Sequence, residues 1–247
     1  MEWADTAIIL ECIGYGESDV RAIVFAAQEG AWHGLVRGGA SRRHSAVWQV
    51  GNVVAARWVA RLPEQLGSLT GELVHPAAAL AMGHRLALAV LRSACAVASG
   101  ALPEREPHPA AFAGLAGLLG SVTLQETILP RYVEYELGLL RELGYGLDFS
   151  SCAVTGLTEG LAYVSPRTGR AVAGAAAGTW APRLLALPKF LVTTEKADLA
   201  QCHDGLLLTG HFLARHVFGT RHAPLPPARV ALYELVDRLM EEKDHAG

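Results

Sequence analysis

The sequence predicts an α+β chain of more than one domain: a small five-stranded barrel or sandwich, then a helical region interrupted by a short β segment. Three observations predict it. Short β-rich runs recur at near-regular spacing up to residue 75, each closed by a turn signal. Helical periodicity takes over from residue 76. Between about 148 and 181 the composition turns glycine-rich around a strand-like core, and helices then resume. The 247 residues suffice for one large domain or a few small ones, and with 51% hydrophobic and 18% charged residues the chain is globular.

The first strand is "TAIILECI", stopped by the turn signal "GYGESD". "VRAIVFAA" runs to the Glu29-Gly30 turn, and "AWHGLVR" follows. The fourth run, "NVVAARWVARL", alternates: Ala56, Trp58, Ala60 and Leu62 share an apolar face, and Arg57, Val59 and Arg61 share the other. "SLTGELVH" is the fifth. "PAAALAMGHRLALAVLRSACAVAS" predicts one long helix, begun by proline and closed at Gly100. The prolines of "LPEREPHP" break the chain before a helix over about 110–122, and "PRYVEYELGLLREL" is the next helix, ending at Gly144. The glycine-rich segment holds the strand "LAYVS" and the turn "SPRTG". A short helix is expected over about 182–191, another over 198–218 and a last one from Pro227 to about Lys243.

Formal net charge is −3, yet the charge is uneven. Residues 1–20 carry five acids and no base. Residues 21–61 carry Arg21, Arg37, Arg42, Arg43, Arg57 and Arg61 against Glu29 alone. Most of that excess lies in or beside "LVRGGASRRHSAVWQVGN", an acid-free stretch that also holds His44 and Trp48. Solvent screening cuts off distant charges beyond about 8–10 Å, so an anionic partner feels this patch rather than the net charge.

Several chemistries are missing from the sequence. No phosphate-binding G-x-x-x-x-G-K-[ST], no G-x-S-x-G nucleophile elbow and no H-E-x-x-H zinc motif occurs. His203, His211 and His216 are spaced by eight and five, which does not stack imidazoles on one helix face. The four cysteines lie far apart, as expected of a reducing cytoplasm rather than a disulfide framework. The acidic start has no basic leader, and no segment has the length and apolarity of a membrane span. A nuclease would need clustered carboxylates and a metal, and residues 21–61 hold one acid. The reading is a non-enzyme.

The quoted motifs, in order, resemble the RecO family of recombination mediators. The resemblance rests on "YGESD", "GLVRGGASRRH", "VGN" and "ARLPEQLG", on "LPEREPHP" and "ELGLLRELGYGLDFSSCAVTG", and on "LAYVSPRTGRAV", "LLALPKFL", "LLLTGHFLARHV" and "LPPARVAL". It implies an N-terminal OB-fold over 1–76 and a helical domain over 77–247 with a zinc-finger-like insertion at about 148–181. It also implies binding of single- and double-stranded DNA, strand annealing, partnership with RecR, capture of the acidic, Phe-ended tail of single-stranded DNA-binding protein (SSB), and so help in loading RecA on SSB-coated strands. A cytoplasmic, nucleoid-associated location follows. A protein–protein adaptor with little direct DNA affinity is the alternative.

On that resemblance, Arg21, Arg37, Arg42, Arg43, His44, Arg57 and Arg61 are the expected DNA contacts, with Arg42, Arg43 and His44 on a mobile loop whose Gly38 and Gly39 admit phosphates closely. Trp48 is assigned to DNA as a base-stacking ring, with closure of the barrel as its other role. Arg131, Arg141 and Arg215 are the candidates for the SSB tail. Some relatives carry four zinc-binding cysteines in the insertion. Here Cys152 matches the first, Thr155 stands where the second would be, and "RTGRAVAGAAAGTW" lacks the later pair, so no zinc and no other cofactor is expected.

Overall fold

The structure is a computed structural model that describes residues 1–62, 65–124 and 126–246, with side chains described to 243. The alternating runs become β1 (Glu2–Tyr15), β2 (Asp19–Ala26), β3 (Gly30–Val36), β4 (Val53–Val59) and β5 (Gly67–His75). They close into a barrel in the order β1-β2-β3-β5-β4, with only β3 and β5 parallel. Alternation decides what goes inside. Trp32, Trp48, Val54, Trp58 and Leu69 fill the interior, with Trp32 and Trp58 centroids 4.5 Å apart. Gly67 is required here, because a Cβ would lie 2.1 Å from the Trp58 ring.

The long helix expected over 76–99 is broken into α1 (Ala77–Ala81) and α2 (Arg85–Ala101). Gly83 and an extended His84 separate them; a glycine inside a helix weakens it by roughly 1 kcal/mol. The next helix, expected over about 110–122, is α3 (Pro109–Gly120), which takes the last proline of the breaking run into its own first turn. These helices pack with the barrel. Leu91 of α2 fills the space above Gly51, and Phe112 of α3 meets Phe25 edge-on at 5.5 Å. The Pro-rich loop joins them: Arg105 N donates to Ala31 O, its guanidinium sits 4.7 Å from the Trp32 ring centroid, and His33 pairs with Glu104. The first compact unit accordingly runs on past residue 76, to Ile128, and the second spans Leu129–Gly247.

The second unit holds α4 (Ile128–Glu142), a three-stranded sheet, α6 (Leu199–Phe212) and α7 (Pro227–Ala246). The sheet has β6 (Leu161–Val164) at its centre, with β7 (Ala171–Ala173) and β8 (Leu185–Ala186) beside it; a short α5 (Gly174–Ala177) follows β7. The expected helix over 182–191 does not form. Pro182 and Pro188 cannot sustain helical hydrogen bonding, and the edge of β6 takes residues 185–186 as a strand between two 3₁₀ turns. The expected helix over 198–218 ends at Phe212 and widens into a π-helical turn, Leu213–Phe218.

A buried polar network centres this unit. Arg229 of α7 donates from Nε to Glu136 Oε1 at 2.6 Å and from Nη2 to Glu136 Oε2 at 3.0 Å and Leu206 O at 2.7 Å. Tyr132 OH donates to Glu136 at 2.7 Å. Burial opposes the charge on Arg229, but Glu136 outweighs it and raises its pKa. The network joins α4, α6 and α7.

Candidate nucleic-acid interface

Strand register shows which arginines the barrel brings together. Arg21 pairs with Leu35, Leu35 with Ser68, and Ser68 with Val59. This row runs over the outer face of β2, β3, β5 and β4. Neighbouring strands lie about 4.8 Å apart, so Arg21 is about 14 Å round the surface from Val59, which sits between Arg57 and Arg61 in sequence. Arg61 lies just past the end of β4 rather than on it, where Ala60 and the N-terminus exchange hydrogen bonds. Arg57 is exposed but already engaged: its Nε donates to Glu2 at 2.7 Å, which holds the Glu2 carboxyl below its ordinary value.

Arg37, Arg42, Arg43 and His44 are exposed on the connection between β3 and β4. Hydrogen bonds shape this connection. Gly38 N donates to Asp19 Oδ1 at 2.8 Å and Ala40 N to Ser18 O at 2.8 Å, which tie it to the β1–β2 turn. Ser45 N to Ser41 O and Trp48 N to His44 O wind it through a helical turn. The buried Asn52 side chain donates to Ala46 O and Val47 O, each at 3.0 Å, and accepts from Ala78 N. Gly39 is not a phosphate approach. It is buried, and a Cβ there would meet Val36 at 2.9 Å and Val20 at 3.1 Å.

Trp48 is corrected from a base-stacking candidate to a core residue. It is 6% exposed and its ring lies over Gly71 inside the barrel. An apolar ring beside an open barrel end gains more from closing it than from facing water. The exposed aromatic of this unit is Tyr15, 57% exposed at the end of β1. It is two residues beyond the exposed Ile13, the partner of Arg21, and adjoins the turn that holds the arginine loop. Sequence reading missed it because Tyr15 looked like part of a turn signal; its place at the end of an alternating strand was the available cue. Glu17 and Asp19 share that turn, so the positive surface lies on the β2 and loop side.

The second unit contains a cleft of about 240 Å³ lined by Glu134, Leu137, Gly138, Arg141, Leu147, Phe149, Phe190 and Leu191. Of the three arginines expected for a tail site, Arg141 lines it. Arg131 is exposed ten residues earlier on α4, about 15 Å along the helix axis. Arg215 is exposed on the π-helical turn, beside a His216 ring that stacks on Tyr145 at 5.2 Å.

Comparison with known proteins addresses both parts of the chain. Residues 1–77 match the family model for the recombination protein O N-terminus, and residues 82–224 match that for its C-terminus. A DNA repair protein RecO from Acidiphilium cryptum (strain JF-5) is 64% identical, with both chains fully covered. One from Granulibacter bethesdensis is 56% identical, also over both full lengths, and one from Gluconacetobacter diazotrophicus is 51% identical over 97% of this chain and 96% of its own. The chain belongs to the RecO family. Its five-stranded OB-like barrel followed by a helical region is consistent with that family, and the family's role is DNA repair and recombination. No helix among the described residues is long and apolar enough to cross a membrane.

The zinc of some family members does not suit the residues in this insertion. Cys152 Sγ accepts a hydrogen bond from Ala173 N at 3.2 Å, and Thr155 occupies the next ligand position. The N–H of Ala173 and then the Thr155 hydroxyl hold the Cys152 thiol down to about 6. A structural zinc takes four such ligands, and the insertion has one cysteine.

Proposed function

We propose that this RecO-family chain binds single- and double-stranded DNA at the barrel end formed by β2 and the β3–β4 connection. The observation that carries the reading is the set of exposed arginines on β2 and the β3–β4 connection of an OB-like barrel, Arg21, Arg37, Arg42 and Arg43, with exposed Tyr15 at the end of the adjoining β1. Barrels of this kind bind strands on their β2–β3 face and flanking loops, with cations on the backbone and aromatics on bases. Arginine suits the task because its planar fork takes a phosphate bidentately. His44 and Arg61 flank this surface, and Arg57 contributes less because Glu2 already neutralises it.

From this site the chain anneals complementary strands and, with RecR, helps load RecA on SSB-coated DNA. The α4 cleft receives the SSB tail: Arg141 takes the terminal carboxylate, and Phe149, Phe190 and Leu137 take the Phe ring. The chain performs no catalysis, carries no zinc and works in the cytoplasm at the nucleoid. Metal analysis of untagged protein tests the zinc statement, and one zinc per chain would refute it. Fluorescence anisotropy on a labelled oligonucleotide across a salt series tests the DNA reading. Affinity is expected to fall steeply with salt and to vary little with sequence. Undetectable or salt-independent binding would favour the adaptor reading.

A further inference from the structure

Residues 160–194 contain Arg167, Arg170, Arg183 and Lys189 and no acid, in a chain whose net charge is −3. They form the three-stranded sheet and the turns around it. Two of the four bases are engaged: Arg170 lies 3.5 Å from Asp148 and Lys189 3.7 Å from Glu195. Arg167 and Arg183 are exposed and no carboxylate pairs with them among the described residues.

Trp180 is 61% exposed in the same segment. It lies on the 3₁₀ turn Gly178–Arg183, where side chains three apart eclipse, so the Arg183 guanidinium sits over the indole at 5.4 Å from its centroid. The turn is held from beneath. Ala177 is buried, Ala181 packs on the cluster of Cys152, Val172 and Ala173, and Leu184 N donates to Ala181 O. The indole is therefore largely open to solvent with a cation over one face, an aromatic platform with a charge already beside it. It does not line the α4 cleft.

We propose that Trp180 and Arg183, with Arg167, form a second contact for single-stranded nucleic acid on the insertion, separate from the barrel end. A base stacks on the open face of the Trp180 indole, and Arg183 and Arg167 meet the flanking phosphates. The pairing of an aromatic platform with cations is the chemistry of sequence-tolerant single-strand binding, and a flat, exposed ring that is not part of the α4 cleft suits a base plane. Two such contacts let one chain hold two strands, which annealing requires.

The tryptophans make the test selective. Trp3, Trp32, Trp48 and Trp58 are buried in the barrel, so the solvent-exposed emission belongs to Trp180. In full-length protein, an oligo(dT) strand should quench that emission saturably, and Trp180→Phe should remove the signal. The quench should persist in the Arg42→Ala, Arg43→Ala double variant. Trp180→Ala and Arg183→Ala should each weaken this contact about tenfold without moving the melting temperature. Oligonucleotide binding seen by anisotropy with no change in Trp180 emission would overturn the proposal while leaving the barrel reading intact. Quenching together with anisotropy and a salt slope unchanged in the Arg42→Ala, Arg43→Ala variant would sink the barrel reading alone. Quenching by an acidic Phe-ended peptide and not by oligo(dT) would also overturn it, making the platform a peptide contact.

Discussion

Replacing Arg42 and Arg43 together with Ala removes two guanidinium groups from the β3–β4 connection. Both are exposed, and neither has a carboxylate partner among the described residues. The hydrogen bonds that shape the connection come from Gly38, Ala40, Ser45, Trp48 and Asn52, not from these side chains. Stability should therefore change by no more than ~0.5 kcal/mol. DNA binding should change in a defined way. Each phosphate neutralised on a single strand contributes a log–log salt slope of roughly −0.7, so the pair contributes roughly −1.4. Between about 50 and 200 mM salt the parent's affinity should then fall about sevenfold further than the variant's. Arg57→Ala should shift the slope less, since Glu2 already supplies its counter-charge at 2.7 Å. The assay is anisotropy with a labelled oligo(dT) over a salt series, with thermal melting and binding of an acidic Phe-ended peptide on the same samples. Peptide binding should survive, because the cleft with Arg141 lies in the second unit. An unchanged slope with an unchanged melt would refute the reasoning and leave the stretch a solvated turn.

Other perturbations separate packing from binding. Trp48→Ala should cost about 3–5 kcal/mol in a denaturant melt as a core cavity, whereas Tyr15→Ala should leave the melt alone and weaken binding of base-bearing strands. Equal effects of the two on the melt would contradict the placement of Trp48. Glu136→Ala strands the charge of Arg229, 2% exposed, and should cost about 3–5 kcal/mol. Combining Glu136→Leu with Arg229→Met should recover most of that in urea denaturation, and no recovery would mean the pair does more than satisfy itself. For Cys152 the folded pKa is depressed, so its thiolate contributes stability that is complete above the unfolded value near 9 and gone below about 6. Denaturant melts should show the second unit gaining stability from about pH 6 to 9, a gain that Cys152→Ala flattens.

Much of the fold was legible because its signals are local. β-rich runs between turn signals placed all five strands of the barrel, and the last helix was placed from Pro227, where α7 begins. Where local signals misled, a competing partner had won. The segment over 182–191 has helix-forming leucines, but the free edge of β6 and two flanking prolines make it a strand. In the long helix expected over 76–99, apolar periodicity runs across Gly83 without showing that the chain turns there.

The sequence by itself determined where cations concentrate, because charge is a property of residues, and which strands alternate, because side chains of a strand change face at every step. It also determined that the insertion lacks a four-cysteine site. Tertiary structure decided which cations share a surface. Arg21 and Val59 fall on one surface row, three strand spacings apart, only because β3 and β5 pair in parallel and close the barrel. It decided that Trp48 is core and Tyr15 is not, since burial depends on what covers a ring. It also decided that Glu136 and Arg229, 93 residues apart, meet at 2.6 Å. A periodic pattern reports a residue's own face; only closure of the chain reports what the face meets.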